Sequence, residues 1–131
     1  MTLATAYWCI LIAALLPYVW VFFAKTGAPG YNNRNPRAWI AKQAGNYRVQ
    51  RAYGAHLNAI EAFAPFAAGV VLAQLAGVDP ARIALLAIAF VALRVLHGLL
   101  YLADVPLMRS LAWLGGFGCV VALLALAALA A

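Results

Sequence analysis

Acid is almost missing from this sequence: Glu61, Asp79 and Asp104 are the only carboxylate side chains in 131 residues. Charge of either sign is scarce, at 9% of residues against about 25% in an ordinary soluble domain. A chain so poor in charge cannot cover a globular surface in water, which excludes a free-standing soluble fold. Long polar stretches are missing as well, apart from the segment between Lys25 and Arg51. The chain therefore has no internal repeat, no low-complexity tract and no second domain. Cysteine occurs twice, as Cys9 and Cys119, with no Cys-x-x-Cys and no histidine at ligand spacing. Both read as small buried apolar residues. Two histidines and one acid within the apolar runs do not make a metal site, so no metal is expected.

What is present is apolar. Hydrophobic residues make up 68% of the chain, and they fall into four runs of about 20 residues, the length that crosses a bilayer as a helix. These features predict an all-α integral membrane four-helix bundle as one domain over residues 1–131, with spans at about 3–23, 52–75, 81–102 and 110–130. The first run lacks the preceding positive charge of a signal peptide and reads as a retained helix, kinked near Pro17. Gly77, Asp79 and Pro80 form a tight turn, so the second and third spans are adjacent and antiparallel. Gly115, Gly116 and Gly118 in the fourth span allow a close helix contact, within the chain or across a subunit boundary.

The polar segment carries Lys25, Arg34, Arg37, Lys42, Arg48 and Arg51 and no acid. By the positive-inside tendency it is cytoplasmic, which places both termini outside. Turns at Gly27–Gly30 and Asn32–Pro36 precede a short helix over 37–45, with Asn35 as its cap and Pro36 at its first position. Two readings stand for it: an anchor to anionic lipid, or a basic lid over the mouth of a site for an anionic ligand. The net charge of +6 does not point to nucleic acid, because no module gathers the basic residues.

Polar residues enter the second span in one stripe, Arg51, Gly54, Asn58, Glu61 and Pro65, at the roughly 100° per residue of a helix. The third span carries Arg94, His97 and Tyr101, with Asp104 just beyond it. A carboxylate in mid-span is costly unless it faces protein, water or a cation. Glu61 and Arg94 each lie about 15 Å from the inner ends of antiparallel helices at 1.5 Å per residue, and the sequence predicts that they pair. His56 faces away from Asn58 and is expected at a subunit contact or at the membrane interface. These groups gather toward the inner ends of the spans. A pocket there is cationic, has one carboxylate and one amide to orient a polar ligand, and opens sideways to lipid.

The segment Ala55-His56-Leu57-Asn58 with Glu61, then Arg94-x-x-His97-x-x-x-Tyr101, then Arg109-Ser-Leu before a glycine-bearing fourth span, resembles the MAPEG family, membrane proteins of eicosanoid and glutathione metabolism. Asn33-Arg34-Asn35-Pro36-Arg37 is similar to the loop of bacterial members, and the likeness is nearest the microsomal glutathione transferases and their bacterial relatives. The resemblance implies a homotrimer in a bacterial inner membrane that binds glutathione as co-substrate between neighbouring subunits. It implies a transferase or peroxidase activity toward lipophilic electrophiles or hydroperoxides. Carried over by position, Arg109 is the catalytic residue that stabilises the thiolate. Arg51, Asn58, Glu61, Arg94, His97 and Tyr101 then form the glutathione site, Glu61 meeting its amino group. The chain departs from the family pattern at Gly54, where many members have an arginine, and in a Tyr101–Arg109 spacing one residue shorter than in the nearest transferases.

Two other functions compete. One is a non-catalytic MAPEG-like subunit that binds lipid or accompanies a partner, which the Gly54 departure favours. The other is a small proton-coupled exporter using Glu61; the small multidrug exporters carry that acid in their first helix, and here the first helix has none.

Overall fold

The computed structural model describes residues 1–131. It contains five helices and no strand: α1 (Leu3–Lys25), α2 (Pro36–Lys42), α3 (Tyr47–Leu75), α4 (Pro80–Leu102) and α5 (Pro106–Ala130). All but α2 are long and apolar enough to cross a membrane. The chain is an all-α integral membrane protein. The long helices pack as a bundle in which α3 and α4 form a central pair, with α1 seated on one side of that pair and α5 on the other.

Local chemistry sets the helix ends. The Asp79 side chain accepts from Arg82 N at 3.3 Å with Pro80 in the first turn, and Gly77 takes the left-handed conformation (φ 80°) that ends α3. At the opposite end of the bundle the α4–α5 turn places Asp104, a non-glycine residue, at φ 58°, where Val105 N reaches back to Leu100 O at 3.0 Å. This is the bond that closes a Schellman turn.

Two helix starts and one cap differ from the sequence expectation. α3 begins at Tyr47 rather than near Ala52, because the Asn46 side chain accepts from Val49 N at 3.2 Å and nucleates the helix while the sequence is still polar. α5 begins at Pro106, so Arg109 lies inside its first turn rather than before it. Asn35 holds the cap position of α2, yet its side chain makes no capping hydrogen bond; α2 starts on the fixed φ of Pro36 alone.

The core toward the α3–α4 turn is apolar. Phe66 of α3 and Phe90 of α4 stack at 3.9 Å with 9° between ring planes, both buried, beside Ile83, Val70, Leu123 and the free thiols Cys9 and Cys119. Toward the other end, Trp20 of α1 lies directly on Gly98 of α4, where any Cβ would overlap the indole. That contact brings α1 close to α4 and leaves the opposite side of the α3–α4 pair to α5.

Candidate functional site

The polar residues of α3, α4 and α5 converge on that opposite side. Arg94 is only 3% exposed, and its Nη2 donates to Asn58 Oδ1 at 2.8 Å. Its aliphatic stem runs along α5 at Gly116, where a Cβ would stand 3.6 Å from Arg94 Cδ. One turn along α4, His97 is equally buried, and its Nδ1 has no partner within the chain. Tyr101 follows another turn on, edge to face with His97 at 5.7 Å. The guanidinium of Arg109 sits over the Tyr101 ring, 4.6 Å from its centre. The phenol end of Tyr101 rests in the notch left by Gly54, where a Cβ would collide with it.

These side chains line one groove in two parts. The polar part, about 270 Å³, is bordered by Asn58, His97, Tyr101, Arg109, Ser110 and Trp113. The apolar part, about 170 Å³, is bordered by Asn58, Glu61, Ala62, Pro65, Phe90, Arg94, Trp113, Phe117 and Val120. Asn58 and Trp113 border both and join them. Glu61, Ser110, Trp113 and Phe117 are exposed on the surface of the bundle, so the groove opens sideways rather than along the bundle axis.

The expected Glu61–Arg94 ion pair is not made. The single salt bridge of the chain is elsewhere, and Arg94 spends its hydrogen bond on Asn58. The two groups lie at a common depth, bordering one recess, but depth leaves the angle around the axis open. Asn58 points from α3 toward α4, whereas Glu61, three residues on and about 60° around the helix, is turned to the open edge of the groove. The carboxylate and the guanidinium therefore border the same recess without touching.

Arg51 is also placed differently from the other candidates. It lies 3.7 Å from Asp104 in a half-exposed pair that ties the start of α3 to the turn after α4, and it lines neither part of the groove. Exposed pairs of this kind contribute about 0–1 kcal/mol. His56 serves its own chain: its Nδ1 is 2.8 Å from the Pro17 carbonyl, an acceptor, so the fitting tautomer carries its proton on Nδ1. Its ring stacks on Tyr53 at 5.7 Å and meets Tyr18 edge-on, so within the chain it ties α3 to α1.

Two aromatic residues of α5 line the groove and were not among the sequence candidates. Trp113 and Phe117 stack at 5.2 Å with 8° between planes, and with Arg109 they occupy positions i, i+4 and i+8 of α5, one face of a helix. That spacing was visible in the sequence. The glycines beside it point to helix contacts, and Gly115 and Gly116 do face Leu93 and Arg94 of α4.

The family model described as the MAPEG family matches residues 5–129 of the chain. No curated protein and no solved structure gives a match.

Proposed function

Because the chain belongs to the MAPEG family, we propose that the groove binds glutathione and activates its thiol against a lipophilic partner, making the protein a glutathione-dependent transferase or peroxidase. The observation that carries this reading is Arg109. Its guanidinium is held on the Tyr101 ring with no acid beside it, at the polar end of a groove whose other end is apolar. A free thiol with a pKa of about 8.5 is mostly protonated at neutral pH, and a guanidinium a few ångströms away lowers it by about a unit or more. The proton leaves to solvent, and the thiolate stands at the junction of the two halves.

The remaining groups suit the rest of a tripeptide. Asn58 and Arg94 offer a fixed amide and a buried cation to its carbonyl and carboxylate groups, and the unpartnered Nδ1 of His97 supplies a further hydrogen bond. Glu61 is an exposed carboxylate in mid-span, costly against lipid and well matched to the glutathione amino group. A neighbouring subunit of a homotrimer covers the open edge and completes the site. Trp113 and Phe117 present ring faces to the second substrate, which enters from the bilayer. Thiolate sulfur then forms a bond to an electrophilic carbon as the leaving group departs with its electron pair. With a hydroperoxide, sulfur takes the terminal oxygen, the O–O bond breaks, an alcohol leaves, and a second glutathione resolves the product to disulfide and water.

The protein is placed by this reading in a bacterial inner membrane with the Lys25–Arg51 connection cytoplasmic and both termini outside. Purified protein is expected to bind glutathione and to conjugate a lipophilic electrophile or reduce an organic hydroperoxide. Absence of both binding and turnover would refute the reading. The non-catalytic alternative draws on one observation, the filling of the Gly54 notch by Tyr101 where many members carry an arginine. Co-purification of a partner protein together with no glutathione binding would favour it.

A further inference from the structure

We propose that the basic connection between α1 and α3 is a binding collar for the anionic headgroups of phospholipids in the leaflet on that side of the membrane. The sequence left this segment open between a lipid anchor and a lid. The groove is bordered by residues of α3, α4 and α5, and no residue before Asn58 lines it, so within the chain the segment covers nothing.

It is instead built down onto the bundle at a definite height. Trp39 and Ile40 of α2 are buried against Ala24 in the last turn of α1 and Val49 and Ala52 in the first turns of α3. Gln50 Nε2 donates to both Ile40 O (3.0 Å) and Gln43 O (3.1 Å), fixing the end of α2. Ala24 follows directly on the apolar run of α1, so α2 lies where hydrocarbon gives way to headgroups.

With that face turned inward, the cations are turned out. Arg34, Arg37, Lys42 and Arg48 are all exposed, and none has a carboxylate within 4.0 Å; the chain's one ion pair is Arg51–Asp104. Tyr47, 73% exposed beside Arg48, has the amphipathic character of an interfacial aromatic. Four unpaired cations spread over a docked surface match many separate phosphodiesters better than one small anion in a cavity. At the strength typical of juxtamembrane basic residues, each contributes roughly fivefold to the affinity for an anionic surface.

The test uses the detergent-solubilised full chain equilibrated with equal amounts of phosphatidylglycerol and phosphatidylcholine, with bound lipids counted by native mass spectrometry. The wild type is expected to retain phosphatidylglycerol preferentially. The combined variant Arg34→Gln, Arg37→Gln, Lys42→Gln, Arg48→Gln is expected to lose that preference by at least tenfold, with helical circular dichroism and glutathione binding unchanged. Equal retention of the two lipids by the wild type, or an undiminished preference in the variant, overturns the proposal. Displacement of phosphatidylglycerol by an equal concentration of inorganic phosphate also overturns it, because the collar is then a free-anion site. Loss of glutathione binding in the variant with lipid preference intact assigns the segment to the groove instead, and the proposal fails.

Discussion

The Arg109 guanidinium stands over the face of Tyr101, 4.6 Å from the ring centre, and this contact joins the first turn of α5 to the last turn of α4. It holds a positive charge at the polar end of the groove without neutralising it, as a carboxylate would. The ring of Tyr101, rather than its hydroxyl, is the part that positions the arginine. Tyr101→Phe is expected to keep thiolate formation within about threefold of wild type, and Tyr101→Leu to reduce it about 3- to 10-fold, the range of a lost cation–π contact. Equal losses in both variants, measured by thiolate absorbance, would assign the role to the hydroxyl.

Gly54 is a seat for Tyr101, and adding a methyl there forces the phenol out. Gly54→Ala is expected to cost about 1–3 kcal/mol, as overpacking does, read as a lower melting temperature in detergent, and to weaken thiolate formation by displacing the ring beneath Arg109. Tyr101→Phe in the same chain is expected to restore part of both, because the hydroxyl is the atom nearest the new methyl. Additive effects of the two substitutions would show that they do not share this space.

Arg94 depends on Asn58 rather than on Glu61. Asn58→Ala leaves a buried guanidinium without its hydrogen bond and is expected to cost about 1.5–3 kcal/mol. Glu61→Gln removes a charge that pairs with nothing in the chain and is costly against lipid, so it is expected to leave stability unchanged or raise it while weakening glutathione binding. If thermal unfolding gives the reverse order, Glu61 and Arg94 form the ion pair after all.

Phe117 borders only the apolar part of the groove, whereas Trp113 borders both. Phe117→Ala is expected to raise KM for a lipophilic acceptor about 5- to 10-fold, as the loss of an aromatic face that the acceptor would cover does, with glutathione affinity unchanged. Trp113→Ala is expected to affect both substrates. Steady-state kinetics with each substrate varied in turn separate the two patterns.

Much of the bundle was legible because hydropathy reports on solvent: four apolar runs, the Asp79–Pro80 start and the antiparallel α3–α4 pair all follow from local composition. The start of α3 was not, since polar residues 47–51 are helical on the strength of the Asn46 cap and hydropathy is blind to caps. In the site, the stripe from Asn58 to Tyr101 showed which residues share a face. It did not show which of two neighbours, Asn58 or Glu61, turns inward, because periodicity groups residues by face and leaves a rotation of about 60° around the axis open. Gly54 looked like a missing arginine and proves to be the space a tyrosine fills.

The most direct test of the account is a titration of the purified protein with glutathione at neutral pH, followed by the ultraviolet absorbance of the thiolate. A saturable rise is expected in the wild type, and in Arg109→Ala the loss of that rise while glutathione still binds by calorimetry. A rise of the same size in Arg109→Ala would contradict it, as would glutathione bound to the wild type with its thiol still protonated.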